Sequence, residues 1–308
     1  MSTYAATVVQ APAALLSLEP VAGRYELKER LGRGSLAEVF RAADREGGPD
    51  VAVKVAVGES QKHFERTNNE AAVLAALDHP SIIRFITQGV MPPGTPLAGH
   101  PFLVEELALG TNLAEAARTR PPLAGEVAGW ACGLFGALAH LHEKGLVHRD
   151  IKPANLMLSG LRRSPVRIID FGIVAAAGSP PEAGISSGTV HYMSPEQAAG
   201  GPARTTWDVY AMGLVLLELL TGAKAFPGTA IESLVARTLR SPVIPDSVGP
   251  GWSNLLLALT AMDSDARPTA AEAAAMAARL VPANTAGELS GMCRRMAVFP
   301  SRRIRQLA

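Results

Sequence analysis

The stretch His148–Asn155 reads His-Arg-Asp-Ile-Lys-Pro-Ala-Asn, and the triplet Asp-Phe-Gly follows at Asp170. It places a carboxylate (Asp150), a lysine (Lys152) and an amide (Asn155) close together, and Asp170 adds a second carboxylate. These side chains suit phosphoryl transfer, because one carboxylate can accept the proton of an attacking hydroxyl while the other, with the amide, can hold a divalent metal on phosphates. The lysine can neutralise the charge that spreads over the transferred group.

These motifs resemble those of the protein kinase superfamily, whose catalytic loop reads His-Arg-Asp-x-Lys-Pro-x-Asn and whose metal-binding turn reads Asp-Phe-Gly. The resemblance implies that Asp150 is the base or hydroxyl-orienting carboxylate and that Lys152 stabilises the transferring phosphoryl group. It implies that Asn155 and Asp170 bind Mg²⁺ or Mn²⁺. For His148 we expect a structural role, as a packing and hydrogen-bonding residue beneath the loop.

Composition excludes several other classes of protein. The 308 residues are 48% hydrophobic, and their formal net charge of +1 predicts no nucleic-acid partner. The only cysteines, Cys132 and Cys293, are far apart and predict neither a disulfide framework nor a metal site. The longest apolar run, Val209–Leu220, contains Glu218 and is too short to span a bilayer. With no secretory signal, the sequence predicts a cytoplasmic protein without a transmembrane segment.

Patterning along the chain predicts an α+β, two-lobed protein kinase fold. Residues 1–23 are small and apolar without periodicity and predict a flexible leader. Residues 24–282 form the predicted kinase domain, with a small β-rich N-lobe over about 24–107 and a larger, mainly helical C-lobe over about 108–282. Residues 283–308 form a basic C-terminal tail, and such a tail is usually a solvated segment.

Segments rich in Val, Leu and Phe that are separated by Gly, Pro and Asp predict the strands, and apolar residues at helical spacing predict the helices. The predicted strands are Tyr25–Leu31, Ala37–Ala42, Val51–Val57, Ile82–Val90 and Phe102–Leu107. The predicted helices are Lys62–Leu77, Ala124–Lys144 (ending at Gly145), Thr206–Leu220, Ile231–Leu239, Trp252–Met262 and Ala270–Leu280.

A glycine-bearing segment between the first two strands resembles the family's phosphate-covering loop, Gly-x-Gly-x-x-Gly-x-Val. Glycine lets backbone amides approach a phosphate closely. The third glycine is replaced by Ala37, and a plain hairpin turn would account for the segment equally well. The resemblance implies that the nucleotide contacts Leu31, Gly32, Arg33, Gly34 and Val39.

The strand Val51-Ala52-Val53-Lys54 resembles the family's Val-Ala-Ile-Lys strand, whose lysine reaches the α- and β-phosphates. The resemblance places Ala52 and Lys54 in the nucleotide site and requires a glutamate on the next helix to orient Lys54. Glu70 fits this position, with Glu65 as its competitor. Desolvation of a lysine–glutamate pair in a cleft costs free energy, so such a pair favours a functional role for both side chains.

The segment Leu103–Leu107 is expected to be the hinge between the lobes, with Glu106 and Leu107 holding the adenine. Counting back from Gly110 makes Glu105 the residue that guards the back of the pocket, which is an unusual acidic choice for the family. A one-residue bulge would make it Val104 instead, and the sequence leaves the two alternatives open.

The resemblance also implies the substrate class. Lys152 and the segment Gly188–Glu196 match the serine/threonine pattern, and Tyr-Met-Ser-Pro-Glu-Gln is similar to the bacterial eukaryotic-like (Hanks-type) branch. Thr189 is then expected to touch Asp150 and Lys152. Structural roles are expected for two further positions: a pair between Glu196 and Arg267, and an anchor for the catalytic loop at Asp208.

The sequence therefore predicts an ATP- and metal-dependent serine/threonine protein kinase that acts on proteins. The alternatives are a pseudokinase that serves as a binding or scaffold module, against which the complete set of chemical residues argues, and a small-molecule kinase, which would lack the Gly188–Glu196 ledge. Arg149 precedes the catalytic aspartate, so activation is expected through trans-autophosphorylation of Ser186 or Ser187 in a transient homodimer.

Overall fold

The computed structural model describes residues 9–10, 19–34, 37–57, 61–95, 97–159, 164–181 and 187–282. Its strands are β1 (Val9–Gln10), β2 (Tyr25–Arg33), β3 (Ala37–Asp44), β4 (Val51–Ala56), β5 (Phe85–Val90), β6 (Pro101–Glu106), β7 (Gly110–Asn112), β8 (Leu146–Val147), β9 (Leu156–Ser159), β10 (Val166–Ile168) and β11 (Ala175–Ala176). Its α-helices are α1 (Gln61–Ala75), α2 (Leu113–Thr119), α3 (Ala124–His142), α4 (Ser187–Val190), α5 (Pro195–Ala198), α6 (Thr205–Thr221), α7 (Ala230–Leu239), α8 (Pro250–Leu259) and α9 (Ala270–Ala278).

The N-terminal half is an antiparallel sheet with one helix on it. The strand order is β1-β2-β3-β4-β6-β5, and α1 packs on β4, β5 and β6. Every second residue of these strands points to the outer face of the sheet, where Val53, Val55 and Val104 pack in one cluster. The opposite face therefore turns Ala52 and Lys54 toward the helical half, which fixes where a cleft residue can lie.

The C-terminal half is mainly helical, as predicted. Its central helix α6 is buried on nearly every side, which is typical of a helix inside a core. The helix ends at Thr221 and is capped by Gly222, whose φ of 71° is the left-handed conformation that closes many helices. Two small sheets, β10-β9-β7 and β11-β8, contain the strands that flank the loops of the candidate site.

Several predicted boundaries are wrong, for identifiable reasons. β5 begins at Phe85 because Ile82 forms a separate parallel bridge with Ile168 that joins the two halves. Helix α3 ends at His142, and Gly145, with a φ of 69°, belongs to the turn before β8. The short elements β7 and α2 were not predicted, since three residues of strand and two turns of helix carry too little periodicity to detect.

Part of the segment predicted to be a flexible leader takes part in the fold. β1 pairs with the edge of β2, at Val9–Arg30 and Gln10–Glu29. Val21 is 1% exposed and packs with Tyr25 in the sheet's outer cluster. The edge strand β2 has unpaired backbone groups with which β1 pairs, and the sheet has an apolar surface on which Val21 packs. The predicted tail, residues 283–308, lies outside the described residues. Among the described residues, no helix is both long and apolar enough to cross a membrane.

Candidate active site

Strand β4 and helix α1 bring a lysine and a carboxylate together at the cleft. Lys54 Nζ lies 2.7 Å from both carboxylate oxygens of Glu70 and 3.1 Å from Asp170 Oδ1. Glu70 is buried, whereas Glu65 is exposed on another face of the helix. The contact predicted between Lys54 and Glu70 is confirmed, and its catalytic role stays a prediction.

The charges of this cluster depend on one another. Burial by itself would lower the pKa of Lys54, but Asp170, Glu70 and Glu105 outweigh it and raise the pKa well above its usual range. Burial opposes ionisation of Asp170, yet the neighbouring Lys54 holds the pKa of that carboxyl at about 2. Burial raises the pKa of Glu70, and Lys54 offsets part of that rise. Lys54 is therefore a permanent cation at neutral pH, beside an ionised Asp170.

The carboxylate of Asp150 is the centre of a second network. Lys152 Nζ donates to Asp150 Oδ2 at 2.6 Å, and Asn155 Nδ2 donates to the same oxygen at 3.0 Å. Thr189 Oγ1 donates to Asp150 Oδ1 at 2.7 Å and accepts from Lys152 at 3.3 Å. The predicted contacts of Thr189 are therefore confirmed. Three side chains hold the carboxylate at the mouth of the cleft in one fixed orientation.

Helix α6 holds the catalytic loop through its backbone. Asp208 accepts the backbone N–H of His148 at 2.8 Å and that of Arg149 at 2.9 Å, which confirms the predicted anchor. Arg149 has a φ of 67°, in the left-handed region that non-glycine residues rarely adopt. His148 is fully buried, and its ring meets Phe171 edge-on at a centroid distance of 5.0 Å. The predicted packing role of His148 is therefore confirmed.

The Asp-Phe-Gly turn is fixed from the opposite side by α1. The backbone N–H of Phe171 donates to Glu70 Oε1 at 3.1 Å, and Arg66 Nε donates to the carbonyl of Gly172 at 2.7 Å. Asp170 itself has a φ of 74°. Sequence reasoning missed Arg66, although its place four residues before Glu70 puts both on one helix face.

The predicted nucleotide contacts form a small apolar cluster between the sheet and the segment after β6. Val39, Ala52 and Leu107 are buried together and Leu31 packs on them. Gly32 pairs with Val39 across the hairpin, and the N–H of Gly34 donates to the carbonyl of Ala37 at 2.8 Å. Arg33 Nε lies 3.2 Å from Glu38. The tip of the hairpin, residues 35–36, lies outside the described residues, and nucleotide contact stays a prediction.

The predicted hinge residue Glu106 directs its side chain away from that cluster. Its carboxylate lies 2.7 Å from Arg167 Nη1, whose guanidinium is completely buried behind the hinge. The backbone N–H of Glu106 donates to the carbonyl of Arg84 at 2.9 Å. Arg167 was not foreseen, because a single arginine between Val166 and Ile168 in a strand usually faces solvent.

The register of β6 distinguishes the two candidates for the back of the pocket. Val104 pairs with Val53 and packs in the outer cluster, on the face away from the cleft. Glu105 pairs with Ala52 and is 2% exposed. Glu105 therefore occupies the cleft face of the strand.

The oxygens at the mouth of the cleft fit a divalent cation shared with phosphates. Asn155 uses its Nδ2 on Asp150, which leaves the amide oxygen for another ligand, and Asp170 is an ionised carboxylate. Mg²⁺ is usually bound by one or two carboxylates together with substrate phosphates. Within the described ranges no group of three or more His, Cys, Asp or Glu side chains forms an all-protein metal cage. Asn155 and Asp170 are therefore the residues that fit this cation.

A ledge beside Asp150 joins the cleft to the helical core. Arg267 donates to both carboxylate oxygens of Glu196, at 2.6 and 3.0 Å, as predicted. Tyr192 Oη donates to Glu218 of α6 at 2.7 Å. Arg237 of α7, which was not predicted, donates to the carbonyl of Met193 at 2.8 Å. The ledge is thus fastened by charged side chains from three separate elements.

Two lobes, a Lys–Glu–Asp cluster at the cleft and an aspartate on a loop anchored from the central helix define a phosphotransfer fold. A family model, Protein kinase domain, matches residues 25–277. The chain belongs to the protein kinase family.

Comparison with curated relatives indicates which members of the protein kinase family the chain is similar to. The chain is 37% identical to serine/threonine-protein kinase PknB of Mycobacterium tuberculosis over 73% of its own length and 36% of that protein. It is 36% identical to the DNA damage-responsive serine/threonine-protein kinase RqkA of Deinococcus radiodurans (83% of this chain, 39% of the relative). It is 33% identical to serine/threonine-protein kinase PrkC of Bacillus subtilis (82% and 39%). The chain thus spans less than two fifths of each relative's length.

Proposed function

We propose that this chain is a serine/threonine protein kinase that transfers the γ-phosphoryl group of ATP to serine and threonine hydroxyls of proteins. The observation that carries the proposal is the network at Asp150, whose carboxylate is held by Lys152, Asn155 and Thr189. A carboxylate fixed in this way at the mouth of a phosphate-binding cleft suits an acceptor hydroxyl, which must be oriented for in-line attack.

In the proposed reaction Asp150 orients the acceptor hydroxyl and takes its proton. The hydroxyl oxygen forms a bond to the γ-phosphorus as the bond from that phosphorus to the bridging oxygen of ADP breaks. Lys152, which already contacts Asp150 and Thr189, stabilises the charge on the transferring group. Proton acceptance by a positioned side chain contributes typically about 10²–10⁴ in rate.

Lys54 and Glu70 position the nucleotide's phosphates in this proposal. Leu31, Val39, Ala52 and Leu107 supply the apolar base site, and the cofactor-binding residues further include Gly32, Arg33, Gly34 and Glu106. Asn155 and Asp170 hold the divalent cation, Mg²⁺ or Mn²⁺, which when bound neutralises phosphate charge and fixes its geometry.

The serine/threonine class is supported by the contact between Lys152 and Thr189 and by the names of the relatives. The ledge from Thr189 to Glu196 provides an ordered surface beside Asp150 for a protein segment. A second copy of the chain is one such protein, bound transiently for autophosphorylation in trans. We place the reaction in the cytoplasm.

The test is phosphate transfer by the purified chain to a generic basic protein, followed by identification of the phosphorylated residue types. We expect phosphoserine and phosphothreonine, loss of the signal when a chelator removes the metal, and its return with Mg²⁺ or Mn²⁺. Lys54→Met is the matched control for contaminating kinases. Transfer no greater than that of Lys54→Met would instead favour the scaffold alternative.

A further inference from the structure

A buried cation lies beside the ledge without a carboxylate partner. Arg237 is fully buried, and its guanidinium donates to the carbonyl of Met193 at 2.8 Å and to the hydroxyl of Ser233 at 2.6 Å. No carboxylate among the described residues forms an ion pair with it. Burial of a charge without an opposite charge is costly, and it lowers the pKa of the guanidinium to about 10. The guanidinium therefore remains charged at neutral pH, and no carboxylate neutralises its charge.

Two exposed side chains add positive charge near Arg237. Lys224 is exposed between α6 and α7 and forms no ion pair within the described ranges of the chain. Arg240 is exposed just after α7, and its guanidinium lies 5.4 Å from the ring centre of Phe226, which Arg237 approaches to 5.6 Å. A contact between a cation and a ring does not cancel the charge. Lys224, Arg237 and Arg240, which we call the basic patch, therefore carry three positive charges.

The carboxylates of the neighbouring elements are engaged elsewhere. Glu218 of α6 accepts a hydrogen bond from Tyr192 Oη at 2.7 Å. Glu232 of α7 accepts from the backbone N–H of Thr229 at 2.7 Å and from its hydroxyl at 2.9 Å. The partner that would complement the basic patch is therefore an anion from another molecule.

The basic patch is close to the site of the acceptor hydroxyl. Lys224 and Arg237 add to the effect of burial in lowering the pKa of His191, so both lie near that ring. His191 follows Thr189 by two residues, which separates their Cα atoms by at most about 7.6 Å. Thr189 donates to Asp150 Oδ1 at 2.7 Å. Because an extended peptide advances about 3.3–3.6 Å per residue, a side chain within about three positions of the acceptor can reach the patch.

We propose that the basic patch is a specificity-determining surface that selects protein segments with carboxylate side chains within about three residues of the acceptor hydroxyl. Lys224 contacts the carboxylate, since it is exposed and has no ionic partner, and Arg237 strengthens the attraction from its buried position. This inference rests on the proposed function, because it assigns the sequence class of the protein substrates. An exposed ion pair changes affinity by about twofold to fivefold.

The experiment compares kcat/KM of the full chain on three serine peptides. The peptides differ only at the three positions on each side of the serine, which are all glutamate, all glutamine or all lysine. The wild type is expected to prefer the glutamate peptide to the glutamine peptide by about twofold or more, and the lysine peptide least. The preference should diminish as the salt concentration rises from about 0.05 to 0.5 M, because salt screens exposed charges.

Charge variants at Lys224 test the contact itself. Lys224→Gln is expected to lower the ratio of the glutamate to the glutamine peptide by about twofold. Lys224→Glu should lower this ratio further and raise kcat/KM on the lysine peptide above the wild-type value, which damage to the fold would not do. Lys144→Glu, at an exposed lysine in the turn after α3, makes the same change in net charge and is expected to keep the wild-type ratio.

Each outcome bears on the inference. Equal kcat/KM of the wild type on all three peptides, or ratios unchanged in Lys224→Glu that thermal unfolding shows to be folded, overturns the inference and leaves the kinase proposal intact. Transfer to a generic basic protein but to none of the peptides also overturns it, since short flanked segments are then not substrates. Transfer to neither kind of substrate overturns the proposed function and this inference together. A shift toward the lysine peptide in Lys224→Glu that Lys144→Glu does not share supports it.

Discussion

At the scale of single residues, the ammonium group of Lys54 is the centre of a cluster of charges in the cleft. Lys54 contacts Glu70 and Asp170 directly, and Glu105 adds a third negative charge on the same face. A buried ion pair loses much of its Coulomb gain to desolvation, so such a cluster is weak evidence for stability. In the proposed reaction the role of this pair is positional, because a lysine held by Glu70 is already oriented when phosphate binds.

The coupling between Lys54 and Glu70 is open to a double-mutant cycle. We expect Lys54→Met to lower kcat/KM by about 10²-fold or more, as for loss of one preorganised charge. Glu70→Ala should lower it as well, since Glu70 acts by holding Lys54. The double variant should be little worse than Lys54→Met alone. Losses that add in steady-state assays would show that Glu70 acts elsewhere.

His148 makes stability depend on pH in a direction that can be worked out. Burial lowers the pKa of His148, and Asp208, Asp150 and Asp170 reverse this only in part. The unfolded chain takes up a proton near the usual histidine pKa of about 6.5, and the folded chain takes it up only at a lower pH. Acidification through that value therefore favours unfolding, and the stability present above it is lost as the pH falls.

The matching prediction uses a side chain that packs but does not titrate. His148→Phe should retain the edge-on contact with Phe171, while the free energy of unfolding should fall less between about pH 7.5 and 5.5. We expect the pH-dependent loss to shrink in His148→Phe, measured by urea unfolding at each pH. An identical pH dependence in the two proteins would contradict the assignment.

At the scale of elements, helix α6 determines the shape of the catalytic loop. Asp208 accepts hydrogen bonds from two backbone N–H groups. Its Oδ2 also lies 2.9 Å from Nε2 of His142. The loop contains Arg149 in a left-handed conformation, which costs of order 1–3 kcal/mol and persists only when its surroundings enforce it. The buried end of α6 provides that constraint.

Asp208→Ala should remove the anchor of the catalytic loop without removing a contact to the nucleotide. Each buried N–H left without an acceptor costs about 1–3 kcal/mol, so we expect a fall in Tm of several degrees. Because the loop carries Asp150, kcat should also fall, while the Kd for ATP stays near the wild-type value. Calorimetry and steady-state kinetics measure both quantities.

Asp246→Ala, in an exposed turn before α8, is the control for Asp208→Ala. It should change neither Tm nor kcat appreciably, since surface substitutions usually change the free energy of unfolding by no more than about 0.5 kcal/mol. A weakened ATP affinity in Asp208→Ala equal to its loss of kcat would mean that Asp208 supports the whole cleft and not the loop alone.

The long elements follow from the sequence and the short ones do not. Helices α1, α3 and α6 lie within about two residues of their predicted bounds, because apolar spacing persists over several turns. The three-residue strand β7 offers no period to detect. The contacts at Asp150, Asp208 and Glu196 were predicted from motif resemblance, because the motifs imply the partners of these residues.

Other features depend on tertiary packing that no local pattern encodes. Arg167 is buried because Glu106, 61 positions earlier in the chain, lies against it. The choice between Glu105 and Val104 needed the register of β6 against β4, since a shift of one residue exchanges the two faces of a strand. The pairing of β1 with β2 likewise joins residues about twenty positions apart.

At the scale of the whole molecule, the cleft is closed on one side by contacts between the lobes. Lys54 pairs with Asp170, Phe171 donates to Glu70, and the N–H of Ile83 donates to the carbonyl of Ile168 at 3.1 Å. Helix α1 therefore holds the sheet and the Asp-Phe-Gly turn in one arrangement. This arrangement places the Lys54 cluster and the Asp150 network together, as the proposed phosphoryl transfer requires.

Regulation is predicted to act on the segment that joins the cleft to the ledge. Ser186 lies outside the described residues, as does the side chain of Ser187, so this prediction rests on the sequence and on Arg149. Mass spectrometry of protein from a heterologous host should find phosphate on one of these serines in the wild type and none in Lys54→Met. A phosphate there adds negative charge that Arg149 can bind.

The double variant Ser186→Ala/Ser187→Ala should be less active than the wild type by about tenfold, the equivalent of one charge-assisted hydrogen bond. Ser179, near the start of the same segment, supplies the control in Ser179→Ala, which should remain fully active. Absence of phosphate in the wild type, or full activity of the double variant, would contradict switching at these serines.

The role of Asp150 toward an acceptor hydroxyl in phosphoryl transfer is tested most directly by the turnover of Asp150→Asn. The variant keeps the shape of the side chain and should bind ATP with a Kd within about threefold of the wild-type value, because Asp150 does not hold the nucleotide. Its kcat on a generic basic protein should fall by about 10²–10⁴. Wild-type turnover by folded Asp150→Asn would contradict this role of Asp150.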